Sequence, residues 1–161
     1  EQLAEELTDD TLVVAGPGAT VFNILDNWGI EGTLLGVDVL QGKTLLARDV
    51  DAAALTSYLD DHSGPVRLVV TAIGGQGHII GRGNQQLTPG ILRRIGRDNL
   101  WVVATKTKLT TLQGRPLVMD SGDARLDREW LGYLPVVTGF ADKVLYPLGF
   151  FPTEEPTHAP A

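Results

Sequence analysis

The chain has 161 residues, of which 43% are hydrophobic and 20% charged, and its 20 acidic against 13 Lys and Arg residues leave a net charge of −7. That suits one globular domain with a core of its own, and the acidic balance excludes a nucleic-acid binder built on a basic face while leaving room for small anions held by backbone donors. The absence of Cys removes disulfides, thiolate metal sites and a cysteine nucleophile, and no apolar run approaches the roughly 20 residues that span a bilayer.

The acidic Glu1–Asp10 does not read as a signal peptide, so the expectation is a cytoplasmic protein with neither membrane nor nucleic acid as partner. Gln2–Leu7 reads as the end of a helix. Thr11–Ala15 (TLVVA) is a buried strand. Gly16–Thr20 (GPGAT) turns the chain into a helix marked by Val21, Ile24, Leu25 and Trp28, with Gly29 as its stop. Thr33–Leu40 (TLLGVDVL) is a second strand, and Lys43–Arg48 returns beside it after the Gln41-Gly42 turn. Asp51 caps a helix over Ala52–Asp61, which Gly64-Pro65 ends.

Val66–Ile73 is a strong strand. Thr88 then caps a helix with Pro89 in its first turn, running to Ile95 before Gly96. Leu100–Thr105 is a buried strand, Lys106–Leu112 a short helix and Pro116–Met119 an extended piece. Asp120–Asp123 (DSGD) is a turn, Leu126–Leu131 is weakly helical, and Pro135–Thr138 is a last short strand. Strands alternating with helices predict an α/β fold of three layers around a mainly parallel sheet. Hairpins at 33–48 and around His78 would decorate it. Residues 1–150 are expected to form the domain, and the Pro-rich 151–161 a disordered tail.

Three constellations can carry chemistry. Gly16, Gly18 and Thr20 lie between a strand and a helix, where backbone N–H groups and the helix dipole favour an anion; the alternative is a tight turn without ligand. The segment 74–86 (GGQGHIIGRGNQQ) combines clustered glycines with Arg82, Asn84 and Gln85 at the end of a predicted parallel strand, where α/β sheets bind ligands. Arg82 can grip a phosphate in bidentate fashion; the alternative is a glycine-rich hairpin. Asp120 and Asp123, near Asp127, can hold Mg²⁺ together with substrate phosphates, although Asp123 is also placed to cap a helix. Asp38, inside an apolar strand, is either an exposed position or a buried, partnered acid. Asp38, Asp120 and Asp123 are the candidate catalytic acids. His62, His78 and His158 are scattered without metal-ligand spacing, the three tryptophans read as packing residues, and no serine sits in a GxSxG context.

From Leu12 to Thr138, LVVAGPGAT, TLLGVDVL, IGGQGHIIGRGNQQLTP, KL, GRPL and DSGD stand in the order found in the ATP-NAD kinase-like family, which includes the acetoin-catabolism protein X group, and the chain resembles it. It departs mildly from the family pattern at Ala19, Ala72, His78, Ile80 and Ser121. It lacks the GGDGT motif of NAD kinases, and Gln76 cannot replace that motif's carboxylate. The resemblance therefore implies the C-terminal half of a two-domain kinase, inactive alone, whose partner half carries GGDGT. It implies ATP or polyphosphate as phosphoryl donor, NAD or a related acceptor, and possible homo-oligomers. It carries over Gly16, Gly18, Thr20, Gly74, Gly75, Gln76, Gly77, Arg82, Asn84 and Gln85 as motif positions that bind nucleotide. It also offers an alternative fold, the β-rich sandwich of NAD kinase C-terminal halves.

Two other readings stand beside it. A strand ending in a GxG loop also resembles the opening of the sugar-phosphate isomerase and CoA-transferase superfamily, which implies a phosphosugar or CoA-ester site with Asp38, Asp120 or Asp123 as base. Alternatively, the domain is structural, and its glycine segment serves assembly.

Overall fold

The computed structural model describes residues 6–81, 84–139 and 142–149. Nine strands form one mixed sheet in the order β3-β2-β1-β4-β6-β8-β9-β7-β5. They are β1 (Leu12–Ala15), β2 (Asp38–Gln41), β3 (Thr44–Ala47), β4 (Val66–Thr71), β5 (His78–Ile80), β6 (Leu100–Val103), β7 (Leu117–Met119), β8 (Gly132–Gly139) and β9 (Asp142–Gly149). Among the described residues five α-helices of a turn or more accompany them: α1 (Ala19–Asn27), α2 (Ala52–Asp61), α3 (Pro89–Ile95), α4 (Lys106–Thr111) and α5 (Ala124–Glu129). Pairings β1–β4, β4–β6, β6–β8, β7–β9 and β5–β7 are parallel; β1–β2, β2–β3 and β8–β9 are antiparallel. The fold is thus α/β with a mostly parallel sheet, and not the β-rich sandwich.

Side chains alternate across the strands and build two cores. Val13, Ala15, Val69 and Val103 face α1, packing with Val21 and Leu25. Leu12, Val14, Leu68, Val70 and Val102 point the other way, toward Leu55 and Leu59 of α2, Ile91, Leu92 and Ile95 of α3, and Leu126 of α5. One helix lies on one face and the rest gather on the other, so the three layers are lopsided. The far strand β5 returns to the end of β4 through a bridge, in which Ile73 and His78 exchange N–H···O bonds of 2.8 and 3.1 Å. The six strands β4-β6-β8-β9-β7-β5 therefore curl into a closed ring.

Local signals account for the helices. Asp51, Thr88 and Thr105 accept from backbone N–H groups in the first turns of α2, α3 and α4. Pro89 opens α3 and Gly96 closes it, as expected.

The strand segments depart from expectation in three places. Thr33–Gly36 is a bent loop and the strand starts only at Asp38, because the Asp38 carboxylate draws the Thr33 N–H and hydroxyl onto itself. The hairpin over 33–48 is part of the main sheet, since β2 pairs with β1. The last strand is longer than Pro135–Thr138 and is followed by β9, which the sequence reading omitted although Val144, Tyr146 and Leu148 alternate in its sequence. Of the helix expected over Gln2–Leu7 only its last part is described, with Glu6 helical. The tail 151–161 lies outside the described residues.

Candidate functional site

Parallel strands β1, β4, β6 and β8 end on one edge of the sheet, the edge at which open α/β sheets take ligands. The glycine loop leaves β1 there. Gly16 donates to the Val69 carbonyl at 2.8 Å, and Gly18 donates to the Leu34 carbonyl at 2.8 Å. Packing crowds Gly16, where a Cβ would stand 3.2 Å from the Val69 oxygen, and demands glycine at Gly18, where a Cβ would stand 2.5 Å from Thr71 Cγ2. Gly18 also has φ +121°, which side chains resist. Thr20 sits half-buried in the first turn of α1. The loop is thereby pressed onto β4, close to Ile73 and Leu87.

Gly74–Gly77 forms the tip of the hairpin between β4 and β5, with Gly77 N–H donating to the Gly74 carbonyl at 3.3 Å. Two cations hold this tip from outside. Lys108 Nζ donates to the Gly74 carbonyl at 2.6 Å, and Arg115 donates to the Gly75 carbonyl at 3.2 Å. Arg115 is itself braced, because the Tyr146 hydroxyl donates to its carbonyl at 2.6 Å; burial pushes the Tyr146 hydroxyl above its ordinary pKa. A Cβ on Gly77 would meet Leu112 at 2.9 Å. The KL and GRPL segments thus clamp the GGQG turn, a role the sequence reading did not give them. Gly75 differs from its neighbours. It is exposed, its φ is not positive, and a Cβ there would meet nothing within 4 Å, so the fold does not require glycine. Gln76 is exposed beside it.

The same edge carries a cleft of about 750 Å³, lined by Leu35, Asp49, Asp51, Ala52, Ala53, Asn84, Gln85 and Gln86. Asn84 shapes its wall as an Asx turn, accepting from Gln86 N–H at 2.9 Å and Leu87 N–H at 2.8 Å. Gln86 ties that wall to the opposite one, donating to Asp49 Oδ1 and to the Val50 carbonyl, both at 3.0 Å. Gln85 is exposed to the cleft. Arg82 lies outside the described residues.

Asp38 is buried, at 1% exposure. It accepts from Thr33 N–H and Thr33 Oγ1, each at 2.7 Å, and from Asp49 N–H at 2.9 Å. It is the partnered acid of the two alternatives, and it fixes both the 33–36 loop and Asp49. Asp49 has φ +47°, a left-handed conformation that Asp tolerates better than most residues. Neither Asp49 nor Leu35 stood out in the sequence, because loop curvature alone places them at the cleft.

Asp120 and Asp123 sit after β7, beside β5 and α3 respectively, and do not line the cleft. Asp120 donates its N–H to the Ile80 carbonyl at 2.9 Å. Asp123 caps α5 through the N–H groups of Arg125 and Leu126 and accepts from Arg93 at 2.7 Å. The Arg93 hydrogen bond, with help from the backbone, holds the Asp123 carboxyl below the usual carboxylate range. Asp127, largely buried, closes the DSGD turn by accepting from Ser121 N–H at 3.0 Å and Ser121 Oγ at 2.6 Å. Among the described residues no group of three His, Asp or Glu side chains is arranged to hold a metal ion, and no helix is long and apolar enough to cross a membrane.

The edge therefore joins the GPGAT loop, the 33–36 loop and the 84–86 turn, with the GGQG tip beside them, and leaves Asp120 and Asp123 apart. Neither the curated proteins nor the solved structures compared with this chain include a match. A family model described as the ATP-NAD kinase C-terminal domain does match, over residues 8–148, from just before β1 into β9 and across every motif discussed above. On that match, which takes in most of the chain, the protein belongs to the ATP-NAD kinase C-terminal domain family.

Proposed function

We propose that this domain supplies one wall of a nucleotide site in an NAD kinase-like phosphotransferase, acting in the cytoplasm on NAD or a related acceptor. One observation carries the reading: the 33–36 loop and the Asn84–Gln86 turn line one cleft at the C-terminal edge of the sheet, and the glycine loop after β1 lies next to it, bonded to Leu34 and close to Leu87. Gly16 and Gly18 spend their own N–H groups on Val69 and Leu34 and so fix the loop, and the helix start that follows, with Thr20 in its first turn, brings backbone N–H groups toward phosphate. Gly75 leaves room for a ligand or for the partner half to approach closely, and Arg82 adds a positive charge from its motif position. ATP or polyphosphate is the phosphoryl donor.

Mg²⁺ accompanying ATP needs one or two carboxylates besides the phosphates. Asp123 is engaged by Arg93 and by the α5 cap, and neither it nor Asp120 lines the cleft, so that carboxylate is assigned to the second half of the site. The acid–base group comes from a second half carrying GGDGT, and the chain alone binds without phosphorylating. The isomerase reading is the weaker one, since Asp38, its most central candidate base, is buried with its oxygens turned to Thr33 and Asp49.

The test is thermal unfolding of the chain with ATP, ADP, NAD, NADP, polyphosphate, ribose 5-phosphate and acetyl-CoA, each with and without Mg²⁺. A ligand at 100 times its Kd adds about 2.7 kcal/mol, a rise of roughly 5–10 °C for a domain this size. A rise with NAD or ATP is expected. A rise only with ribose 5-phosphate or acetyl-CoA overturns the kinase reading in favour of the isomerase or transferase one.

A further inference from the structure

The cleft lining is amphipathic in a particular way. Leu35 is 82% exposed at its rim, an unusual position for a large apolar side chain beside a polar wall. Ala52 and Ala53 add apolar surface to the lining. The carboxylates of Asp49 and Asp51 and the carboxamide of Gln85 share the lining. Among the described residues each carboxylate accepts one hydrogen bond on Oδ1, from Gln86 to Asp49 and from Ala54 N–H to Asp51. A carboxylate accepts about four hydrogen bonds in all, so both keep acceptor capacity. Carboxylates repel phosphate and accept from hydroxyls, while an apolar rim suits a planar ring.

We propose that this cleft takes the nucleoside end of the nucleotide, with the base over Leu35, Ala52 and Ala53 and the ribose hydroxyls donating to Asp49 and Asp51. The phosphates then lie away from these acids, toward the start of α1, which the Gly18–Leu34 hydrogen bond holds next to the 33–36 loop. The inference rests on the nucleotide reading above and assigns the direction in which the nucleotide lies.

Calorimetric titration of the full chain tests it, with NAD, adenosine, 2′,3′-dideoxyadenosine and inorganic pyrophosphate as titrants. The variant pair is Asp49→Asn with Asp51→Asn, chosen because Asn tolerates left-handed backbone and caps helices as well as Asp; Leu35→Ser probes the rim separately. Adenosine should bind about tenfold tighter than the dideoxy analogue, as expected for charge-assisted hydrogen bonds to hydroxyls. The double Asn variant should lose about tenfold for adenosine and NAD, erase the preference for the ribose hydroxyls and leave pyrophosphate binding no weaker. Leu35→Ser should weaken adenosine and spare pyrophosphate. Equal binding of the two nucleosides, or unchanged NAD affinity in the double variant, overturns the assignment and leaves the nucleotide reading in place. Failure of NAD and adenosine alike to bind the unaltered chain overturns both.

Discussion

Replacing Asp38 by Ala should be among the most damaging single changes in this domain. Its side chain is 1% exposed and accepts three hydrogen bonds, two from Thr33 and one from Asp49. A hydrogen bond to a charged acceptor contributes about 1.5–3 kcal/mol, but Thr33 is half-buried and Asp49 exposed, so water can satisfy part of what is lost. The expected cost is about 3–4 kcal/mol, and at 2–4 °C per kcal/mol that is a fall in Tm on the order of 10 °C. Asp38→Asn divides the effect. Its oxygen, in the place of Oδ1, keeps the Thr33 Oγ1 and Asp49 N–H bonds. Its amide then meets the Thr33 N–H donor to donor, so about half the cost remains. Urea and thermal unfolding of the three proteins give the order wild type, Asn, Ala. A loss below about 1 kcal/mol for Asp38→Ala would refute the view that this carboxylate organises the loop.

Gly18→Ala should destabilise by roughly 2–4 kcal/mol, through strain at positive φ and the clash with Thr71, whereas Gly75→Ala should leave Tm unchanged; any loss of NAD affinity in the Gly75 variant then reports ligand approach, and a large fall in its Tm would contradict the open space described above. Lys108→Ala should speed hydrogen exchange at the Ile73 and His78 amides, which the clamped tip protects; unchanged exchange would show that the lysine bond does not hold the hairpin. The Asp123 carboxyl is depressed in the folded state from its ordinary 3.8. Its contribution is therefore complete above that value and lost as pH falls through the lower folded value, so Asp123→Asn should show a shallower loss of stability on acidification than wild type, measured by Tm from pH 5 down to about pH 2.

The helices and most strands could be read from the chain because their signals are local. Thr88-Pro89 and Gly96 bracket α3, and Asp51 opens α2. The position of the 33–36 loop could not, because TLLGVDVL has the composition of a strand and the decisive contact joins Thr33 to Asp38 across a bend. β9 escaped for a different reason: its alternation was present, but nothing nearby in sequence marks a strand that inserts between β8 and β7. At the site, the glycines were legible as residues that something approaches closely. For Gly16, Gly18 and Gly77 that something is the protein itself, and sequence does not distinguish a packed glycine from an open one such as Gly75. Asp49 and Leu35 reach the cleft only through tertiary geometry, so no spacing rule singles them out.

The ring closed by the Ile73–His78 bridge has a consequence for how the protein is made. β9 is the last strand of the described chain, yet it stands between β8 and β7 in the sheet. On a ribosome, β5 would join β4 through that bridge and β7 would pair with β5, but the ring could close between β7 and β8 only after residues 142–149 had left the exit tunnel. Until then β8 keeps a free edge, and such edges recruit strands from other chains. A nascent chain stalled before Asp142 should therefore be a client for chaperones, and expression that slows late in synthesis should yield aggregates rather than a smaller folded domain.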